Sequence, residues 1–182
     1  LLAPLGLHYY EWEMNYLIGD TFRSLGNYQA SLAFLNEALQ IARTLQLGQK
    51  QAETLTTISQ VYTGLGDYQN ALASLQQALP LWAQDDFIET PSNLVGWTLL
   101  SIGSTYSLLG EREKAIEYFN QSATRYREHN QILTNIDATG YNHEFHRGMT
   151  MVYNGLGAIY AKVGEKQKAL DCFAEMRNHV RL

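Results

Sequence analysis

The sequence predicts an all-α fold of four helix hairpins stacked in tandem. Three observations carry this reading. A short glycine phrase recurs four times, the apolar residues around each copy are spaced by three and four, and no stretch shows the period-two alternation of a strand. The phrase reads Leu25-Gly26-Asn27-Tyr28, Leu65-Gly66-Asp67-Tyr68, Leu109-Gly110-Glu111-Arg112 and Val163-Gly164-Glu165-Lys166, with its glycines 40, 44 and 54 residues apart.

Each first helix ends at one of these glycines. Four residues before the glycine stands an aromatic (Phe22, Tyr62, Tyr106 or Tyr160), and four before that an aliphatic (Ile18, Ile58, Ile102 or Leu156). Glycine takes the left-handed conformation that terminates a helix at little steric cost, and the polar or acidic residue after it suits the start of the next. The second helix follows at once. Five residues past the glycine sits Ser31, Ala71, Ala115 or Ala169, and four further on Leu35, Leu75, Phe119 or Phe173. A small residue, Gly19, Ser59, Gly103 or Gly157, follows the aliphatic in each first helix. Small side chains on both partners let antiparallel helices approach closely.

These patterns place helices near 7–25 and 28–46, 50–65 and 68–83, 92–109 and 112–129, and 143–163 and 166–180, as four repeats over 7–46, 50–83, 92–129 and 143–180 of a single array. Thr90-Pro91-Ser92-Asn93 opens the fifth helix, because proline is tolerated in a first turn, and Asp85-Asp86 precedes it as an acidic link. The last glycine interval exceeds the previous one by 10 residues, which predicts an insertion near 130–142. Gly140 would break that segment, with a short extra helix or an overlong loop around Gln131 to Ala138.

Composition narrows the function. Of 182 residues, 46% are apolar and 17% charged, which excludes a disordered chain. Thirteen basic against eighteen acidic residues give a net charge of -5, leaving no basic excess to neutralise phosphates, so no nucleic-acid partner is expected. No apolar run approaches the roughly 18 residues that cross a bilayer, and Leu1-Leu2-Ala3-Pro4 lacks a secretory signature; no membrane partner and a cytoplasmic location are expected. The single cysteine, Cys172, allows neither an internal disulfide nor a cysteine-based metal site. The absence of an initial Met and the ending Val180-Arg181-Leu182 suggest a piece of a longer chain.

With about seven columns in register across four copies, residues 12 to 180 resemble the tetratricopeptide repeat, a helix-turn-helix unit that stacks into a right-handed superhelix. The four copies depart from the pattern in places. Arg112 and Lys166 replace the aromatic after the turn, and Ser122 and Met176 replace the small Ala38 and Ala78 late in the second helix. The intervals also exceed the usual repeat of about 34 residues, implying helices longer by about a turn or longer links. The phrases at 66–72, 78–82 and 164–170 are similar to long-period bacterial arrays that sit beside signalling modules or CHAT-type caspase-like proteases.

The resemblance implies that first helices line a concave groove, through the residues thirteen, ten, six, three and two places before each turn glycine. Here these are Glu13, Tyr16, Asp20, Arg23 and Ser24; Glu53, Thr56, Gln60, Thr63 and Gly64; Trp97, Leu100, Ser104, Ser107 and Leu108; and Met151, Asn154, Ala158, Ala161 and Lys162. Such a mixed surface can hydrogen-bond a peptide and seat one or two apolar anchors, so the implied partner is a protein, a peptide or an adjoining effector domain. The bland alternative is a solvated inner face. The basic clamp with which some family members hold a C-terminal carboxylate is missing, since its positions carry Tyr16 and Asp20, Thr56 and Gln60, Leu100 and Ser104. A competing reading is an oligomerisation unit stacked through exposed terminal helices, where Phe173, Met176 and Val180 have nothing after them.

Other constellations have ordinary readings. Tyr9, Tyr10, Trp12 and Tyr16 could grip a ligand, but their helical spacing favours a seam against a preceding repeat. His143 and His146, with His129 upstream, lack the spacing that puts two ligands and a base on one helical face, so they read as surface histidines and no metal is expected. Gly155-Leu156-Gly157 follows no strand and meets Tyr160 where a dinucleotide loop needs glycine; it reads as helix packing. Cys172 has no local partner to lower its pKa, and no nucleophile elbow or phosphate loop is present, so no cofactor and no enzyme activity are expected.

Overall fold

A computed structural model describes residues 2–83, 92–136 and 143–180, and side chains within 7–82, 94–131 and 143–180. Among the described residues there are eight α-helices and no strand: α1 (Leu2–Ser24), α2 (Tyr28–Thr44), α3 (Gly48–Gly64), α4 (Tyr68–Ala83), α5 (Ser92–Leu109), α6 (Arg112–Ile136), α7 (His143–Lys162) and α8 (Lys166–Val180). None of them is long and apolar enough to cross a membrane. They form two compact units, Leu1–Asp86 and Phe87–Leu182.

The recurring phrase is a helix cap. Gly26, Gly66, Gly110 and Gly164 have φ of 76°, 75°, 81° and 81°. In the first turn the Gly26 N–H donates to the Arg23 carbonyl at 3.0 Å and the Asn27 N–H to the Phe22 carbonyl at 2.9 Å, the paired bonds of a Schellman motif. The other three turns repeat this pattern, so the aromatic four residues before each glycine supplies a capping carbonyl as well as a ring. Asn27 and Asp67 then cap the next helix, their Oδ1 atoms accepting from the Ala30 and Asn70 N–H groups.

One further cap has no glycine in its bend. Between α2 and α3 the Gln46 N–H donates to Arg43 and the Leu47 N–H to Ala42, with Gln46 itself at φ 56°. The glycine of that link, Gly48, stands two residues late and starts α3.

In the first unit the small residues pack as expected. Ser31 Oγ donates to the Gly19 carbonyl at 2.8 Å, and a Cβ on Gly19 would come within 2.7 Å of Leu35. Trp12 is buried against Ala38 and Ala42, and its indole N–H donates to Thr54 of α3 at 3.2 Å. The expected seam with a preceding repeat is corrected for Trp12 and Tyr16, which face the repeat that follows; Tyr9 and Tyr10 are exposed. Tyr28, the aromatic after the first turn, rests on Gly64 of α3, where a Cβ would lie 2.6 Å from its ring.

The second unit is organised by aromatic rings seated on glycines. Phe119 of α6 lies between Gly103 of α5 and Gly155 of α7, and Tyr126, seven residues on, between Gly96 and Gly148. Gly157 takes Phe173 of α8, so all of Gly155-Leu156-Gly157 packs helices. Ser122, the departure from alanine in the third copy, is buried and donates to the Gly96 carbonyl at 2.7 Å. Where the third and fourth copies lose the aromatic after the turn, Lys114 and Lys168 reach back over Tyr106 and Tyr160.

The short extra helix or loop expected around Gln131 to Ala138 is corrected as far as Ile136. The excess continues α6 as unbroken helix through Ile136; Ala138, Gly140, Pro91 and the Asp85-Asp86 link lie outside the described residues.

Candidate partner-binding surfaces

In the first unit, α1 carries Glu13, Tyr16, Asp20 and Arg23 and α3 carries Glu53, Thr56, Gln60 and Thr63, all of them half-buried. The Tyr16 hydroxyl joins the two helices, 3.2 Å from Thr57 Oγ1. Burial pushes the Tyr16 phenol upward, and the carboxylates of Glu53 and Asp20 add to that shift. These three groups form one electrostatic neighbourhood. Asp20 is bound by Arg23 at 2.7 Å and Glu53 by Lys50 at 3.0 Å, with Lys50 Nζ also 4.5 Å from the Trp12 ring centre. The Thr56 and Thr63 hydroxyls donate back to Ala52 and Ser59, which leaves their oxygens as acceptors. Gly64 lies under Tyr28 and Ser24 is exposed.

The second unit places its expected residues less evenly. Leu100 is 3% exposed, so this position offers no surface to a ligand. Ser107 is half-buried, Ser104, Leu108, Asn154, Ala158, Ala161 and Lys162 are exposed, and Met151 is open to solvent. Trp97 lines a cavity of about 210 Å³ together with Leu94, Tyr126, Glu144, Arg147 and Gly148. The Arg147 guanidinium lies 5.6 Å from the Trp97 ring centre. Burial and the Glu144 carboxylate raise the Tyr126 hydroxyl far above the ordinary phenol range, so it stays protonated as a donor. The site thus combines an indole face, a guanidinium, a carboxylate and a phenol. The offset rule that marks Trp97 does not mark Arg147 or Glu144. Arg147 sits one turn before Met151, in the extra first turn of α7, and stepping four residues back from Met151 would have found it.

Elsewhere the chemistry is quieter. His146 meets His179 of α8. Among the described residues no three or more His, Cys, Asp or Glu side chains come together to hold a metal. Burial pushes the Cys172 thiol up, with Asp171 adding to it, which disfavours the reactive thiolate.

A tetratricopeptide-repeat family model matches residues 13–84, and a second model of the same repeat matches 98–129. The chain belongs to the tetratricopeptide-repeat family. Among solved structures it is similar to a Rap protein complexed with Competence and Sporulation Factor, at 19% identity and a TM-score of 0.73 over 93% of this chain and 42% of that one. It is also similar to the apo form of RapI, at 14% identity and a TM-score of 0.75 over 94% and 43%. A kinesin-light-chain type protein of TPR-like repeats from Podosopora anserina aligns at 15% identity and a TM-score of 0.65, over 92% and 74%. These likenesses show the fold. This tetratricopeptide-repeat chain spans less than half the length of either Rap structure. No curated protein matches it in sequence.

Proposed function

We propose that this tetratricopeptide-repeat chain is a protein-interaction module that holds a peptide or an extended segment of a partner on its first helices, by shape and hydrogen-bond complementarity and without bond chemistry. The observation that carries the reading is the cavity beneath Trp97, where an apolar anchor fits beside Arg147 and Glu144. Buried aromatic and arginine side chains at the mouth of a pocket supply most of the energy in such contacts. On the first unit, Glu13, Tyr16, Asp20, Arg23, Glu53, Thr56, Gln60 and Thr63 offer polar contacts to a segment held there; on the second, Met151, Asn154 and Lys162 are exposed on α7. The Rap protein solved with Competence and Sporulation Factor lends the reading support by fold.

Selection of peptides from a displayed random library on the tag-free protein tests the idea. Fluorescence polarisation of the selected peptides should then show Trp97→Ala and Arg147→Ala weakening binding by about tenfold or more, the loss of one hot-spot contact. Selected peptides that bind both variants as well as the parent, or a library that yields none, would refute it.

A second reading has its own observation. α1 exposes Leu7, Tyr10, Met14 and Leu17, a stripe spaced three and four apart on the face opposite Trp12 and Tyr16. An apolar seam of this period pairs helices between chains. Sedimentation over a dilution series distinguishes self-association through α1, abolished by Tyr10→Glu with Met14→Glu, from a monomer.

A further inference from the structure

We propose that His146 of α7 and His179 of α8 form a two-imidazole site for a divalent transition-metal ion of the copper, nickel or zinc class, which clamps the last helix to its neighbour. Their Nδ1 atoms lie 2.9 Å apart, with the rings inclined at 47°. Without metal, that distance is a hydrogen bond in which one nitrogen donates and the other accepts. Metal–imidazole bonds are about 2.0–2.1 Å, so two nitrogens this close subtend about 90° at a shared ion. That is the cis angle of the square-planar and octahedral arrangements of Cu2+ and Ni2+; opening the pair by about half an ångström reaches tetrahedral zinc.

The surroundings suit such an ion. Both rings line an open cavity of about 370 Å³, shared with His143, Arg147, Thr150 and Met151, which has room for waters to complete the coordination. His143 lies one turn before His146 on the same wall. The rings are also held in place. Phe145 meets them edge-on at 5.0 Å and 5.4 Å, and Tyr153 stacks on His179 while its hydroxyl accepts from Arg127 Nη2 at 2.9 Å. Imidazole nitrogen donors select against Mg2+ and Ca2+, which demand oxygen ligands; the nearby Arg127 and Arg147 guanidiniums oppose any divalent cation alike, so the discrimination comes from donor type alone.

The only fully buried residue of α8 is Ala169, so this helix docks through half-buried contacts. A metal bridge near its C-terminal end binds the docked form alone and stabilises it by mass action.

The tag-free chain, stripped with EDTA, would be titrated calorimetrically with NiCl2, CuCl2, ZnCl2 and MgCl2 at neutral pH. One transition-metal ion per chain should bind, MgCl2 should not, and His146→Gln and His179→Gln should each weaken binding by about tenfold or more. No saturable binding, or affinity unchanged in both variants, overturns the site. Weakening confined to His143→Gln does so too, because it places the ion on an exposed side chain. Electron paramagnetic resonance of the Cu2+-loaded parent tests the site without relying on a folded variant: hyperfine coupling to two imidazole nitrogens is expected, and coupling to one or none refutes the clamp.

Discussion

Gln46 adopts the left-handed conformation that glycine supplies at the other four described bends, and it does so in the same pattern of hydrogen bonds. A side chain there costs about 1–2 kcal/mol against glycine in the folded state, partly offset by the greater freedom of glycine in the unfolded chain. Gln46→Gly should therefore raise stability by about 0.5–1 kcal/mol in urea unfolding; a loss of stability would contradict the strain. The four glycine bends are legible in the sequence because their residue type is dictated by backbone geometry. The fifth carries no such mark, since neighbouring packing forces its conformation. His179 yields a residue-scale prediction of its own. Its folded pKa is depressed below the ordinary 6.5, chiefly by burial, with His146 and Arg127 adding and Glu175 opposing. The unfolded chain therefore binds the proton more tightly, so the stability tied to this group is whole above pH 6.5 and is lost as pH falls through the folded pKa. Burial acts on His129 in the same direction. The midpoint of thermal unfolding should fall between pH 7.5 and pH 5, and His179→Gln should flatten that dependence.

At the scale of elements, the second unit rests on three helices whose glycines and rings share a seven-residue spacing. Gly96 and Gly103 on α5 and Gly148 and Gly155 on α7 receive Tyr126 and Phe119 of α6, which runs antiparallel to both. A Cβ at Gly148 would stand 2.4 Å from the Tyr126 ring, and one at Gly155 2.6 Å from Phe119. Gly148→Ala and Gly155→Ala should each cost about 1–3 kcal/mol by overpacking. Combining Gly155→Ala with Phe119→Leu should recover part of the loss in chemical denaturation, because the smaller side chain makes room for the added methyl. Simple additivity would count against the ring-on-glycine contact. The close helix approach at Gly103 and Gly157 is readable from its recurrence in the repeat columns. Gly96 and Tyr126 stand one heptad outside those columns and Gly148 and Gly155 belong to none of them; they become partners only once the helices are laid side by side. For the same reason the continuation of α6 to Ile136 is not legible in the intervals between glycines, which count residues and not their conformation.

At the scale of the whole molecule, each unit encloses apolar side chains of its own: Trp12, Leu35, Ala38 and Ile58 in one, Ile102, Phe119, Val152 and Leu156 in the other. Hairpins that stack on their neighbours carry stability as local contributions. Residues 1–86 and 87–182, produced separately, should each be helical by circular dichroism and unfold cooperatively. A fragment without a cooperative transition would mean that its core depends on contacts beyond it.

The identity of the repeat and most helix boundaries follow from the sequence alone, because left-handed bends, helical spacing and small-residue columns are local constraints that leave their trace in residue type. The candidate site was only half visible in this way. Trp97, Tyr16 and Asp20 stand at offsets counted from a glycine, but Leu100, found by the same rule, is buried. Arg147, Glu144 and the pairing of His146 with His179 were decided by tertiary structure, since the distance between side chains on different helices depends on how closely those helices pack.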